Sequence, residues 1–157
     1  VVASEESDWL IADAFRYFSK DVPVADGAGA LVLATKPGCG PRLRGITDPF
    51  YYGDSGGRVS AIQDVFNQLV PSGGVKDTDL SGGLCGKGSI DRAESTAWGQ
   101  WRERRVDAKI CLGEGFSAAA MWQVLVGLRR LQQPRNQQVF VSIPGSYQFA
   151  IGAEFSN

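Results

Sequence analysis

Three cysteines, Cys39, Cys85 and Cys111, bear the chain's most readily activated nucleophiles, and no histidine accompanies them. A thiol attacks as the thiolate, so it needs a base or a nearby positive charge to draw off its proton. Lys87 stands close to Cys85 and is the local candidate. Histidine is the side chain that ordinarily moves protons near neutral pH and the commonest metal ligand. Its absence excludes Ser-His-Asp, Cys-His and His-metal chemistry within this chain. The cysteines have no C-x-x-C spacing, which argues against zinc and for free thiols in a reducing compartment. Glu114, between Gly113 and Gly115, would serve as a general base if burial raised its pKa. The plainer role is an anion beside a helix start.

Two glycine clusters look like phosphate loops and are not. Gly27 and Gly29 are followed by Val32 where a dinucleotide fingerprint needs glycine, and the apolar strand follows them instead of preceding them. The run from Gly82 to Ser89 has Ser81 and Gly88 where a P-loop needs glycine and Ser/Thr. No cofactor or metal is expected. Arg102, Arg104, Arg105, Arg129, Arg130 and Arg135 gather at the ends of two expected helices, where cations suit the dipole. They would also suit an acidic partner. Trp98, Trp101 and Trp122 are expected in or near the core.

The elements that carry these residues follow from composition and pattern. With 157 residues, a formal net charge of -1 and 43% hydrophobic residues, the chain has the size and composition of one globular domain. The near balance of charge gives no global pull toward nucleic acid or anionic lipid. No long apolar run and no leader pattern is visible, so the cytoplasm is the default expectation.

Ser7 is placed to cap a helix to about Phe18. Gly27 to Ala34 has the continuous apolar character of a strand buried on both faces. Leu43 to Tyr52 is extended with a bend at Asp48-Pro49. A helix from about Gly57 to Leu69 presents Val59, Ile62, Val65, Phe66 and Leu69 on one face, and Pro71 to Gly74 ends it. Residues 79–84 form a short strand, Asp91 with Glu94 starts a helix to about Arg105, and Val106 to Leu112 is a strand. After a turn at Gly113–Gly115, Ser117 to about Gln132 is an apolar helix. Gln138 to Ile143 and Tyr147 to Phe155 close the chain as a hairpin. From residue 42 this order predicts a mostly parallel sheet covered by helices, ending in an antiparallel pair. The helix and strand before it are too little for a second sheet.

Several segments together resemble the β-ketoacyl synthases of the thiolase-like superfamily. Asp26-Gly-Ala-Gly-Ala-Leu-Val-Leu33 is similar to that family's G-E-G-A-G-A-x-V-L strand. Cys85-Gly-Lys-Gly-Ser89 with Asp91 and Glu94 resembles its H-G-T-G-T loop and downstream D-x-x-E. Lys109 with Gly113 to Ala120 resembles K-x-x-x-G-H-x-x-x-A-x-A. Ser142-Ile-Pro-Gly-Ser-Tyr147 stands where the family carries S-F-G-F-G-G. The resemblance implies an α/β thiolase-like half, βαβαβαββ, over residues 40–157, preceded in residues 1–36 by a helix and strand from the tail of a first half.

The departures carry the functional expectation. The family's two active-site histidines fall on Cys85 and Glu114, and its lysine on Lys109, for which the resemblance, with the histidines gone, implies a structural ion pair with Glu114 or Glu94; its nucleophilic cysteine would lie upstream of Val1. The resemblance therefore implies a non-catalytic subunit of the chain-length-factor type, pairing as a heterodimer with an active ketosynthase in type II polyketide or fatty-acid-like synthesis, including aryl-polyene systems. Its mechanism is packing, with Trp122, Leu125 and Phe149 as candidate pocket or interface walls. An acyl carrier protein is the acidic partner that Arg102, Arg104, Arg105, Arg129 and Arg130 would dock. Two alternatives stay open: an acyltransferase using altered Cys85 and Glu114 chemistry completed by another chain, and a degenerate scaffold fragment.

Overall fold

A computed structural model describes residues 1–6, 9–18, 22–35, 38, 40–70, 77–145 and 149–157. Ser7, Cys39, the Pro71 to Gly74 stop, and Ser146 and Tyr147 of the last motif lie outside the described residues.

The main body is a mixed six-stranded sheet covered by helices. Its strands are β3 (Arg42–Ile46), β4 (Phe50–Tyr51), β5 (Thr78–Gly82), β6 (Arg105–Asp107), β7 (Gln138–Pro144) and β8 (Phe149–Ser156). The order is β3-β8-β7-β5-β6, with β4 also on β8. Only β5 pairs in parallel, with β6 and with β7; β3, β4 and β7 all run antiparallel to β8. The sheet is thus more antiparallel than the alternation of elements predicts, because the closing hairpin inserts β8 between β7 and β3.

Alternation along β7 divides the core. Phe140 faces α2 (Ser55–Leu69), where it meets Ile62, Val65, Leu80, Trp98 and Trp101, all buried. Val139 and Val141 face the other way, toward Val124, Leu128 and Leu131 of α5 (Phe116–Leu131). Asp54 starts α2 by accepting the Gly57 N–H at 2.6 Å. The buried face of α2 is Arg58, Ala61, Ile62, Val65 and Leu69, while Val59 is 48% exposed. The register differs from the apolar pattern because the Arg58 guanidinium lies over the Tyr52 ring, a cation–π contact that lets a charged side chain take a core-facing position.

Other boundaries also move. Helix α3 (Gly88–Ala97) starts before Asp91 and passes into a 3-10 helix, Gly99–Arg104. Asp91 and Glu94 do not form a capping box. Their carboxylates reach back to backbone N–H groups of the preceding loop, Asp91 to Cys85 and Gly86 and Glu94 to Gly83. The expected strand over Val106 to Leu112 is three residues of β6 followed by the short helix α4 (Ala108–Leu112). Beyond Asp107 the chain has no ladder neighbour to extend, since β5 ends at Gly82 opposite it.

Residues 1–35 do build a second, two-stranded sheet. Strand β1 (Val2–Glu5) pairs antiparallel with β2 (Gly27–Ala30), and α1 (Trp9–Phe18) connects them. The apolar run after Gly27 is not buried on both faces: Val32 is 92% exposed and Leu33 56%. One face of this ribbon packs on α5, and among the described residues no second layer covers the other, as the in-out alternation of exposure along both strands shows. The approach is close. A Cβ on Gly27 would stand 2.1 Å from the Trp122 ring, and one on Gly29 2.4 Å from Met121 Cγ. Ser117 Oγ, at the start of α5, donates to Glu5 Oε2 at 2.5 Å. Helix α5 therefore lies between the ribbon and the main sheet, which is why it is apolar around most of its circumference.

Candidate functional site

Two of the three singled-out positions lie close together, Lys109 in α4 and Glu114 in the loop that joins α4 to α5. Gly113 has φ +90°, and a Cβ there would come 2.7 Å from the Pro23 carbonyl oxygen, so only glycine fits. Next to it, Glu114 forms a parallel bridge with Val24. Its N–H donates to Pro23 O at 2.7 Å and its carbonyl accepts from Ala25 N at 2.9 Å. The backbone is thereby pinned to the segment leading into β2, and the carboxylate turns inward.

There Lys109 Nζ donates to Glu114 Oε2 at 2.8 Å, and Phe116 N–H donates to Glu114 Oε1 at 2.9 Å. Lys109 and Glu114 are only 5% and 3% exposed. A buried charge is tolerated when it is paired and hydrogen-bonded, and here the lysine and the first turn of α5 share one carboxylate. Of the two partners expected for Lys109, Glu114 is the one it takes.

This ion pair lines a half-open cleft of about 440 Å³. Most of the wall is apolar, from Phe116, Ala120, Ile143, Pro144, Phe149 and Ile151. Gln123 also lines it; its Nε2 donates to Ser142 O at 2.7 Å, which fixes the orientation of the amide. Tyr52 Oη donates to the carbonyl of Gly145 at the cleft wall, and burial raises the phenol pKa against the opposing pull of Arg58. Of the three expected wall residues, Phe149 lines the cleft. Trp122 and Leu125 instead face the β1–β2 ribbon, where the Trp122 indole also lies against Gly115. The Ile143-Pro144-Gly145 segment was legible as a departure from the family turn; Phe116, Gln123 and Tyr52 carried no sequence signal that would single them out.

Cys85 is elsewhere. It sits in the loop between β5 and α3, in a cluster with Phe15, Val22 and the cleft-lining Phe116, so it stands next to the cleft without being among the residues that line it with Glu114. Its N–H and its thiol both donate to Asp91 Oδ1, at 3.0 and 3.4 Å, and Gly86 N–H donates to Asp91 Oδ2 at 2.9 Å. Burial, against a backbone hydrogen bond from Lys87 and the Lys109 charge but with Asp91 adding to it, pushes the thiol up to about 11. That is the reverse of the activation a nucleophilic cysteine needs.

The arginines divide. Arg105 is buried: its Nε donates to Asp107 Oδ2 at 2.8 Å, and its Nη2 lies 2.8 Å from Glu94 Oε2 as a coulombic contact without hydrogen-bond geometry. Burial lifts the Glu94 carboxyl, with the Arg105 charge pulling it down. Burial also works against the Arg105 charge, but Glu94 and Asp107 together outweigh it and raise the guanidinium pKa further. Arg104 and Arg130 converge on the fully buried Asp79, at 2.9 and 2.6 Å, and Asn136 Nδ2 donates to Oδ2, the oxygen that Arg130 also meets. These three arginines hold the sheet's polar edge and do not form a free docking patch. Arg102, Arg129 and Arg135 are exposed.

Among the described residues no group of three or more His, Cys, Asp or Glu side chains is arranged to hold a metal ion, and no helix is long and apolar enough to cross a membrane. Comparison with protein-family models, with curated proteins and with solved structures returns no match in any of the three.

Proposed function

We propose that the chain is a non-catalytic, ketosynthase-like subunit of the chain-length-factor type, which pairs with an active ketosynthase in the cytoplasm and contributes wall surface to its acyl pocket. The observation that carries this reading is the Lys109–Glu114 ion pair at an apolar cleft. The cleft has room for a ligand of the size such sites take, about 300–1,000 Å³. The charged groups that line it are committed to each other. A surface of that kind packs against a chain and does no proton transfer on it.

Helix α5, held between the β1–β2 ribbon and the six-stranded sheet, supports the same reading, because it joins residues 1–36 to residues 40–157 through one shared layer. The acyltransferase alternative loses support from Cys85, whose thiol burial holds protonated and which is not among the residues lining the cleft. Docking of an acidic carrier protein falls to the exposed Arg102, Arg129 and Arg135.

The test is the absolute mass, by light scattering on a sizing column, of this chain co-expressed with the ketosynthase encoded beside it. A one-to-one complex, with the ketosynthase insoluble or inactive alone, is the expected result. Separate elution of the two, with this chain a stable homo-oligomer, rejects the pairing.

A further inference from the structure

Lys109 is the one cationic side chain among the described residues lining the cleft, and Glu114 already neutralises it. The same carboxylate takes the Phe116 N–H that opens α5. An anionic ligand end entering this space would shed its water without gaining a counter-charge. It would also stand beside a resident carboxylate, and like charges resist sharing one site. An uncharged chain end meets neither penalty, since Ala120, Ile143, Pro144, Phe149 and Ile151 offer it apolar surface.

We propose that Glu114 is the specificity-determining residue of this cleft, admitting an uncharged aliphatic chain end and rejecting a carboxylate. The inference rests on the reading of the cleft as acyl-pocket wall and names the ligand class that wall accepts. Discrimination arises from a built-in repulsion as much as from attraction. It also makes a reversal possible. Glu114→Gln keeps the side chain's size and removes its charge, leaving Lys109 without a counter-charge at the cleft, where a ligand carboxylate can supply one.

The experiment is isothermal titration of the 157-residue chain with octan-1-ol and, separately, with sodium octanoate. The wild type is expected to bind octanol, and octanoate about tenfold more weakly or worse. Glu114→Gln is expected to tighten octanoate by about tenfold or more while changing octanol by less than about threefold. Lys109→Met in the Glu114→Gln background removes both charges and is expected to abolish the octanoate gain. Equal wild-type affinity for the two probes, or octanol binding to neither protein, overturns the proposal. So does an unchanged octanoate affinity in a Glu114→Gln variant whose urea transition matches the wild type; if that variant does not fold, the wild-type ratio decides alone. Pairing is read separately by mass. A one-to-one complex whose subunit takes both probes equally sinks the selectivity alone, whereas a chain that elutes by itself yet prefers octanol sinks the pairing alone.

Discussion

Cys85 and Cys111 offer the sharpest contrast between two side chains of one type. Cys111 is exposed on α4, while Cys85 is buried and bonded to Asp91. Burial raises the Cys85 thiol from an ordinary value of 9.0 to about 11. The neutral thiol is therefore the form the fold prefers. Its contribution to stability is complete below the ordinary thiol value and is lost as pH rises through about 11. At pH 8, iodoacetamide is expected to label Cys111 faster than Cys85 by about tenfold or more, with Cys85 labelling accelerating only toward the upper pH range. Peptide mass spectrometry reads both rates, and comparable labelling at pH 8 would contradict the protonated, buried thiol. The sequence already favoured a structural role for Cys85, because no histidine is present to activate it. Asp91 as the clamp was not legible, since the D-x-x-E spacing suggests a helix cap.

At the level of elements, α5 shows how one helix can be read correctly and its surroundings missed. Its apolar run is plain from Phe116 to Leu131, and its length follows. What the run cannot disclose is that two different sheets share the helix. Met121, Trp122 and Leu125 meet Gly27 and Gly29, while Gly127 meets Val139 and Val141. The glycines of β2 are there for close approach. Gly27→Val puts atoms into the Trp122 ring and should cost about 1–3 kcal/mol, the range for overpacking. A lower urea midpoint together with red-shifted tryptophan emission is the expected outcome. An unchanged midpoint would mean that the ribbon does not pack as closely as 2.1 Å implies. Helix α2 teaches the complementary lesson: apolar periodicity nominated Val59, and the Arg58–Tyr52 contact won the core-facing position.

For the whole molecule, stability is distributed unevenly. Strands β5 and β7 lie inside the six-stranded sheet with neighbours on both sides, and Val139, Phe140 and Val141 are fully buried. The β1–β2 ribbon has only two strands and one covered face, and an isolated pair of strands is marginal in water. Local opening follows such differences in packing. Hydrogen exchange read by mass spectrometry should therefore show peptides from β5 and β7 protected longest and those from β1 and β2 exchanging first. Ribbon amides as protected as those of β7 would mean that the two sheets unfold as a single unit.

Taken alone, the sequence determined the alternation of strands and helices from residue 42 onward except the short helix α4, together with the closing hairpin, the apolar character of α5, and the lack of histidine for proton transfer within this chain. Each follows from local information: periodicity, turn residues, or the absence of a residue type. Only the tertiary structure decided the rest. Strand β1 is four short residues, VASE, with no apolar pattern to announce it. The parallel or antiparallel sense of β3 depends on β8, more than a hundred residues away. The convergence of Arg104 and Arg130 on Asp79, the Ser117–Glu5 hydrogen bond and the seating of Gly27 against Trp122 are contacts between distant segments. Spacing along a chain does not encode them, because burial and charge pairing are settled where elements meet.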